Sequence, residues 1–154
     1  DVFVNNLLAQ PYWLDLTQNL RQEVAQTINS GVEQGESGKE VAAKVERFLG
    51  PNSSAFRAMR IARTEITGAL NAGHAATREK LQDAGVLKGK RWLCISDSDT
   101  RDTHRRASGQ TVKNDEQFTV GGEKADYPGD TSLSAGERCN CRCTALSITA
   151  LDDL

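Results

Sequence analysis

The stretch Glu137-Arg138-Cys139-Asn140-Cys141-Arg142-Cys143 contains three of the four cysteines in the chain. The cysteines alternate with other residues, and alternate side chains of an extended strand point to the same side of the backbone. We therefore predict a strand that presents all three thiols on one face and continues to Ile148. A second polar cluster lies upstream at residues 97–104, and we expect the fold to bring the two clusters together.

The composition predicts a soluble globular protein of about one domain. The 154 residues suffice for one hydrophobic core. Only 5% of them are aromatic, so Val, Leu, Ile and Ala must fill the interior, which favours closely packed helices. No stretch approaches the ~20 apolar residues that span a bilayer, and Asp1 opens no signal-like pattern. We therefore expect no membrane contact.

Charge is nearly balanced in both halves of the chain. There are 10 basic and 10 acidic residues up to Lys88, and 9 and 11 after it. Non-specific nucleic-acid binding depends on clustered Lys and Arg, so a DNA contact would need a local patch. The candidate DNA-contacting residues are Arg57, Arg60, Arg105 and Arg106. Arg57, Arg60 and Arg63 follow one another at three-residue steps and form a basic stripe. Such a stripe is also typical of a solvated helix face.

Two amphipathic helices are predicted near the N-terminus. The first covers about residues 15–32, where apolar residues recur at every fourth position. Ser37 and Glu40 have the spacing of a capping box at the start of the second helix, which the Gly50-Pro51 pair closes. Residues 1–14 mix apolar residues with Asn and Pro, and we interpret them as a docking arm.

We predict a third helix from near Ser53 to about Asp83, with Gly85 after its end. Two of its residues, Arg63 and Glu65, are polar exceptions among apolar neighbours. A carboxylate on a close-packing face needs a partner, and we expect both residues to engage the C-terminal half. Alternatively, Glu65 caps or salt-bridges a neighbouring helix.

Beyond residue 86 the periodicity changes from helical to alternating. The pattern predicts strands over residues 91–95, 109–112 and 117–120, and a loop over residues 123–136. The fold class is therefore α+β. About three helices form a helical part, residues 15–86, and a small loop-rich part with β-strands covers residues 87–150. We assign residues 15–154 to a single domain.

The cysteines leave three states open. Zinc takes four tetrahedral nitrogen or sulfur ligands, and its site would be structural here. The candidate ligands are Cys139, Cys141, Cys143 and His104. Cysteines two apart in a straight strand lie about 6.6 Å apart, so one ion could bind them only if the strand kinks. The alternatives are a disulfide between Cys94 and one of the other three, and buried free thiols. Since three cysteines in five residues cannot all pair with the remaining one, a reduced, cytosolic origin is favoured.

Asp97, Arg101 and His104 lie about one helical turn apart and could share one face of a helix. An Asp beside a His orients the imidazole, an arrangement used in general-base chemistry and also in ordinary buried polar networks. The sequence contains no nucleophile elbow, phosphate loop or His-Glu-x-x-His motif. Catalysis is therefore the alternative interpretation of this cluster.

A series of short motifs follows along the chain. They are Ile61-Ala62-Arg63-Thr64-Glu65, Asn71-Ala72-Gly73, Trp92, Asp97-x-x-Thr100-Arg101-x-x-His104, Gly109-Gln110, Phe118, Tyr127-Pro128-Gly129-Asp130 and Asn140-Cys141-Arg142-Cys143. In this order they resemble the phage head morphogenesis domain, the Mu F-like minor head protein family. The resemblance covers about residues 15–148.

The resemblance implies a minor head protein of a tailed phage or prophage, which acts in head assembly at the portal and assists DNA packaging or ejection. Its partners would be the portal and capsid proteins and DNA. It would be assembled in the host bacterial cytoplasm and reside in the capsid interior. The family's signature positions are occupied here by Arg63, Glu65, Asp97, Arg101, His104, Asn140, Cys141 and Cys143.

This chain departs from the family pattern at two positions. Asp99 stands where the family often carries a basic residue, which disfavours a DNA-contacting loop, and Cys139 stands where an aliphatic residue is commoner. Such domains also resemble the N-terminal module of phage-encoded toxins, which implies that a C-terminal effector domain can follow them.

The leading hypothesis is an interaction protein without turnover. A second hypothesis is a hydrolase or transferase, metal-dependent or toxin-associated, that uses Asp97, His104 and Glu65. A third is a DNA-binding accessory protein, for which steeply salt-dependent binding would be the evidence.

Overall fold

A computed structural model of the protein describes residues 18–49 and 55–149. The predicted docking arm, residues 1–14, and the Gly50-Pro51 pair lie outside the described residues. The predicted α+β class is confirmed, since helices dominate the N-terminal part and small antiparallel sheets lie in the C-terminal part. None of the described helices has the length and apolarity needed to cross a membrane.

The chain forms two compact units, one up to Ile66 and the other from Thr67 onward. The division falls inside the third helix, and the single-domain assignment of residues 15–154 stays a prediction.

The first unit contains helix α1, Gln18–Glu33, helix α2, Gly38–Leu49, and the start of helix α3, Ala55–Asp83. The side chains of its hydrophobic core are small and aliphatic, as the scarcity of aromatic residues predicts. They are Val24, Ala25, Ile28, Val41, Ala42, Val45, Ala58, Ile61 and Ala62.

The predicted capping box is present at the start of α2. The backbone N–H of Ser37 donates to Glu40 Oε2 at 2.7 Å, and the backbone N–H of Glu40 donates to Ser37 Oγ at 3.3 Å. These bonds satisfy two N–H groups at the helix start.

Helix α3 ends at Asp83, as predicted, and Gly85 follows with a positive φ of 72°. Its N–H donates to the Gln82 carbonyl at 2.8 Å, and the next N–H, of Val86, donates to the Leu81 carbonyl at 3.2 Å. This pair of bonds is a Schellman motif, which a glycine in the left-handed region permits.

The second unit is built on a three-stranded antiparallel sheet with the order β2-β1-β5. The strands are β1, Leu87–Leu93, β2, Thr111–Val112, and β5, Thr144–Thr149. A hairpin of β3, Phe118–Val120, and β4, Glu123–Ala125, turns at Gly121-Gly122. The rest of α3, from Thr67, and two short helices, α4, Asp102–Ala107, and α5, Ala135–Arg138, complete the unit.

The second core is centred on two aromatic rings. Trp92 and Phe118 are both fully buried, and their ring centroids lie 5.3 Å apart in an edge-on arrangement. The remaining buried members are Ala107, Val120, Ala125, Leu133, Cys141, Cys143 and Ala145. The two cysteines are therefore part of the core.

A close contact between two glycines joins α3 to the loop before α5. A Cβ built on Gly129, whose φ is 83°, would lie 3.0 Å from the Cα of Gly68. A Cβ built on Gly68 would lie 3.1 Å from the Gly129 carbonyl oxygen. Only glycine allows the two backbones to approach this closely.

Three predictions about the second unit are wrong. Strand β1 begins at Leu87, because its pairing with β5 extends to Thr149. The predicted loop, residues 123–136, contains β4 and the start of α5, because tertiary pairing with β3 outweighs the loop-like composition. The cysteine stretch is not a strand, since β5 begins only at Thr144.

Candidate functional site

The cysteine stretch changes direction at Asn140, which has a positive φ of 56°. Asn is one of the few residues that adopt this left-handed conformation readily. The bend separates Cys139, which is half-buried, from Cys141 and Cys143, which are 1% and 4% exposed. The prediction that all three thiols share one strand face is therefore wrong, although the required kink is present.

Helix α4 places His104 against the two buried cysteines. The imidazole is 2% exposed, and its Nδ1 lies 3.2 Å from Cys143 Sγ and 3.8 Å from Cys141 Sγ. The ligand atoms of all three residues lie within 4.8 Å of one another. Trp92 packs edge-on against the imidazole, with ring centroids 5.9 Å apart. The fold thus brings together one nitrogen and two sulfur donors, a set that can hold a metal ion.

The other ring nitrogen of His104 faces a carboxylate. Its Nε2 lies 3.0 Å from Glu137 Oε2, which is an ion-pair distance, although the two groups are not aligned as a hydrogen bond. The same oxygen accepts a hydrogen bond from Thr103 Oγ1 at 2.8 Å. Glu137 is the first residue of the stretch that contains the three cysteines. Its position in the sequence gives no sign of a contact with His104, so it is not among the predicted site residues.

The two buried thiols have opposite protonation preferences. A hydrogen bond from the Cys143 thiol lowers the pKa of Cys141 to about 5, against the effect of burial and with further help from His104. The same bond, together with burial, raises the pKa of Cys143. Cys141 is therefore the thiolate of the pair, which is the form that binds metals.

His104 responds to this thiolate. Burial alone would lower its pKa, but the hydrogen bond and negative charge of Cys141 outweigh burial, so the pKa is raised above its ordinary value. The three side chains therefore form an electrostatically coupled group.

A small cavity adjoins this group. Its volume is about 10 Å³, which is the space of a single water molecule or ion. The cavity is lined by the three donor residues and by Ile95, Asp99, Thr100, Arg101, Asn140 and Arg142.

From sequence, Asp97 is a candidate partner of His104, but in the structure it pairs with Arg142. Its carboxylate accepts two hydrogen bonds from Arg142, at 2.7 and 2.6 Å, and one from Thr100 Oγ1 at 3.0 Å. The Arg142 guanidinium is the main cause that lowers the pKa of Asp97 to about 2. Asp97 precedes α4, which begins at Asp102, so the shared helix face does not exist.

Arg101 and Asn140 lie beside the group. Arg101 donates a hydrogen bond to the Cys139 carbonyl, and both side chains line the small cavity. Four of the predicted signature residues, Asp97, Arg101, His104 and Asn140, therefore belong to one region of the second unit.

Two further signature residues, Arg63 and Glu65, lie in the first unit. Glu65 is fully buried, as a residue on a close-packing face should be. Arg63 is exposed and does not share the buried face of Glu65. It lies about 100° around the helix from Ala62, on the solvent side. Engagement of the two residues with the C-terminal half stays a prediction.

The predicted DNA-contacting arginines differ in their surroundings. Arg60 and Arg106 are exposed, and Arg57 is half-buried. Arg105 is already engaged, since it donates to the Asp97 carbonyl at 2.8 Å and to Asp102 Oδ1 at 3.0 Å. DNA contact by these residues stays a prediction.

Asn71, which is 3% exposed, has a role beside the site that is not predicted from sequence. Its side-chain amide donates to the Cys143 carbonyl at 3.1 Å and accepts from the backbone N–H of Ala145 at 3.3 Å. It also accepts from Thr144 Oγ1 at 3.2 Å. Asn71 thereby ties α3 to the backbone of Cys143, one of the candidate metal ligands. A polar residue among the alanines of α3 was the available signal.

Comparison with known proteins agrees with the family resemblance noted in the sequence. The family described as phage Mu protein F like protein matches residues 22–146. The chain is 33% identical over 129 residues to NAD(+)--arginine ADP-ribosyltransferase EFV of Enterococcus faecalis, covering 84% of this chain and 26% of that protein. It is 31% identical over 130 residues to minor head protein GP7 of Bacillus phage SPP1, covering 84% of this chain and 41% of that protein. The chain thus spans less than half the length of either relative. No solved structure matches it.

Proposed function

The chain belongs to the phage Mu protein F-like family, and from this membership we propose that it acts as a minor head protein in phage capsid assembly at the portal. The observation that carries the proposal is the similarity of residues 22–146 to the family and of 84% of the chain to a minor head protein. The proposal includes a place in the capsid interior, assembly in the host bacterial cytoplasm, and help in DNA packaging or ejection.

The two relatives together favour assembly over catalysis. A segment of similar length is shared with a protein named as a transferase and with a protein named as a head component. In each case it is a minor part of the relative, so the shared segment need not carry the transferase chemistry. A module that docks its carrier onto the phage head would serve both proteins.

The test is made in the phage or prophage that encodes the chain. Purified heads should contain the protein in a protease-protected form, and it should co-purify with the portal protein. Removing it should lower the yield of DNA-filled heads. Heads that lack the protein, together with unchanged yields after its removal, would contradict the proposal.

We further propose zinc as the cofactor of the group formed by His104, Cys141 and Cys143. Tetrahedral zinc, with Zn–S near 2.3 Å and Zn–N near 2.0 Å, separates N and S ligands by about 3.5 Å. The observed separations of 3.2 and 3.8 Å lie on either side of this value. The adjoining cavity has the volume of one small species, so a water molecule would complete the tetrahedron as the fourth ligand.

Cys139 provides a matched control for the zinc proposal. Elemental analysis of the purified protein should find about one equivalent of zinc. Cys141→Ser should lose it, whereas Cys139→Ser should retain it, because Cys139 lies outside the group. Absence of metal from the unsubstituted protein, or equal loss in both variants, would refute the assignment.

The match to a transferase keeps an enzyme as the second candidate. Such an enzyme would use Asp97, His104 and Glu65, but Asp97 is held by Arg142. An assay of ADP-ribose transfer from NAD⁺ to an arginine analogue should show no turnover. Turnover that His104→Ala abolishes, without loss of the fold, would instead favour the enzyme.

DNA is a further proposed partner, through exposed arginines such as Arg60 and Arg106. Binding by phosphate contacts should weaken steeply between low and physiological salt. Binding that salt does not change would remove this proposal.

A further inference from the structure

We infer that Glu137 is a positioning residue for the metal centre. In the zinc-bound protein it holds His104 in the tautomer that is protonated on Nε2 and presents the Nδ1 lone pair to the metal. The inference rests on the zinc proposal above and assigns a role to a residue outside the ligand set.

The first argument is the placement of the two ring nitrogens. Nδ1 faces the sulfur atoms of Cys143 and Cys141, at 3.2 and 3.8 Å, and Nε2 faces Glu137 Oε2 at 3.0 Å. A histidine that binds a metal through one nitrogen almost always donates its other N–H to a carboxylate, a carbonyl or water. The sulfur atoms therefore lie at one ring nitrogen and the carboxylate at the other, as a carboxylate–histidine–metal triad requires.

The second argument is that the Glu137 carboxylate is itself held in place. Thr103, the residue before the histidine, donates to Oε2 at 2.8 Å. The side chain is only 15% exposed, unlike the freely solvated carboxylates of the surface. A hydrogen bond from α4 therefore fixes the same oxygen that faces the imidazole.

The third argument is the turn between β3 and β4. Gly121 adopts a φ of 59°, and a Cβ added there would lie 2.8 Å from Glu137 Cδ. The Glu137 side chain therefore occupies the space that the absent Cβ leaves. Three separate segments, α4, α5 and the hairpin turn, combine to set the position of one carboxylate.

The imperfect alignment of Nε2 with the carboxylate is consistent with this role. Functional hydrogen bonds are often poorly aligned before the bound species is present and tighten once it binds. A metal on Nδ1 would fix the rotation of the ring, and we expect the Nε2–H to align with Glu137 in the metal-bound protein.

The experiment measures zinc affinity by competition with a chelator for the unsubstituted protein, Glu137→Ala and Glu137→Gln. Removal of the carboxylate should weaken zinc binding by about 10- to 100-fold. The Gln variant retains an oxygen acceptor and should fall between the other two. The matched control is Glu116→Ala, which removes an exposed carboxylate that accepts from the Lys113 backbone and should change the affinity less than twofold.

A second readout separates positioning from general structural support. Long-range ¹⁵N–¹H NMR spectra should show His104 protonated on Nε2 in the zinc-bound protein, and a mixture of tautomers in Glu137→Ala. Circular dichroism checks that the variants are folded. If Glu137→Ala does not fold, the same measurements are made on Glu137→Gln alone.

The outcomes distinguish this inference from the zinc proposal. If the unsubstituted protein binds no zinc, the cofactor proposal fails and the positioning role fails with it. If the unsubstituted protein binds zinc and both Glu137 variants bind it equally well, only the positioning role is overturned. Protonation on Nδ1 in the zinc-bound protein would also overturn it.

Discussion

Asp97 and Arg142 illustrate, at the scale of single residues, how one ion pair fixes a loop next to a buried site. The bidentate contact holds the residues before α4 against the segment that carries Cys141 and Cys143. Both partners are partly exposed, so the pair acts chiefly on geometry, since exposed pairs add little stability by themselves.

The pair predicts a specific pH dependence. The pKa of Asp97 is lowered to about 2 in the folded protein, so the stabilisation is present above the unfolded value near 4 and is lost as the pH falls toward 2. Asp97→Asn should be less stable than the unsubstituted protein at neutral pH, and the difference should shrink below pH 4. Denaturant unfolding of both proteins at a series of pH values measures this difference in the free energy of unfolding.

Asp99→Asn is the control for this prediction. The Asp99 side chain is exposed and makes no hydrogen bond among the described residues. A stability difference for Asp97→Asn that persists unchanged at low pH would show that the carboxylate charge is not the cause.

Residue-scale features were predictable where the signal is local. His104 and the cysteine stretch are candidate metal ligands from sequence because these residue types are rare in the chain and share metal chemistry, and the structure brings His104 together with Cys141 and Cys143. The sequence could not indicate which atoms meet. The left-handed turn at Asn140 and the approach of Glu137 to His104 depend on tertiary contacts, and many Asn and Glu residues show no such role.

The capping box gives a prediction at the scale of the secondary-structure element. Ser37→Ala removes the hydroxyl that accepts the Glu40 backbone N–H and should destabilise the protein by about 1 kcal/mol. Ser37→Thr keeps the hydroxyl and should lose much less. Thermal or urea unfolding compares the two, and equal losses would argue against capping as the cause.

The contact of α3 with β5 gives a second element-scale prediction. Asn71→Ala leaves the Cys143 carbonyl and the Ala145 N–H without their side-chain partner. Each buried group left unpaired costs about 1–3 kcal/mol, so a loss of at least about 1 kcal/mol is expected.

Thr77→Ala is the matched control, because it removes an exposed hydroxyl that bonds only to its own helix. Urea unfolding should show little change for this variant. A loss as large as that of Asn71→Ala would mean that α3 itself, and not its contact with β5, is being weakened.

Helix ends were better predicted than strands, and the reason is physical. Ser37, Glu40 and Gly85 act through hydrogen bonds to residues within one or two turns, so their spacing contains the information. Strand β4 forms only because β3 lies beside it. The cysteine alternation satisfied the pattern of a strand, but the segment has α5 and a left-handed residue instead.

At the scale of the whole molecule, the metal proposal predicts that zinc stabilises the second unit selectively. A ligand at 100 times its dissociation constant adds about 2.7 kcal/mol to the stability of the folded state. Hydrogen exchange should therefore slow in α4, β1 and β5 when zinc is added. Helices α1 and α2, which belong to the first unit, should exchange at an unchanged rate.

Cys141→Ser is the control for this experiment. Because this variant should not bind zinc, adding zinc should leave its hydrogen-exchange rates unchanged in both units. Equal slowing of both units in the unsubstituted protein would show that the ion acts on the entire chain. Slowing in α1 and α2 alone would place the ion elsewhere.

The overall class and family followed from sequence because they rest on features spread over the whole chain. Helical periodicity before residue 86 and the ordered motifs between Ile61 and Cys143 do not depend on any one contact. The division within α3 could not be predicted, because helix periodicity is continuous across it.

The meeting of Gly68 and Gly129 limits how this protein can vary. In a randomised library selected for folding, both positions should return almost only glycine, because even one methyl group would wedge the two backbones apart. Gly73, on the same helix, has no atom within 4 Å of an added Cβ, and alanine there should raise stability by up to about 1 kcal/mol. Sequencing the survivors would thus separate an obligatory glycine from a dispensable one within six positions of the same helix.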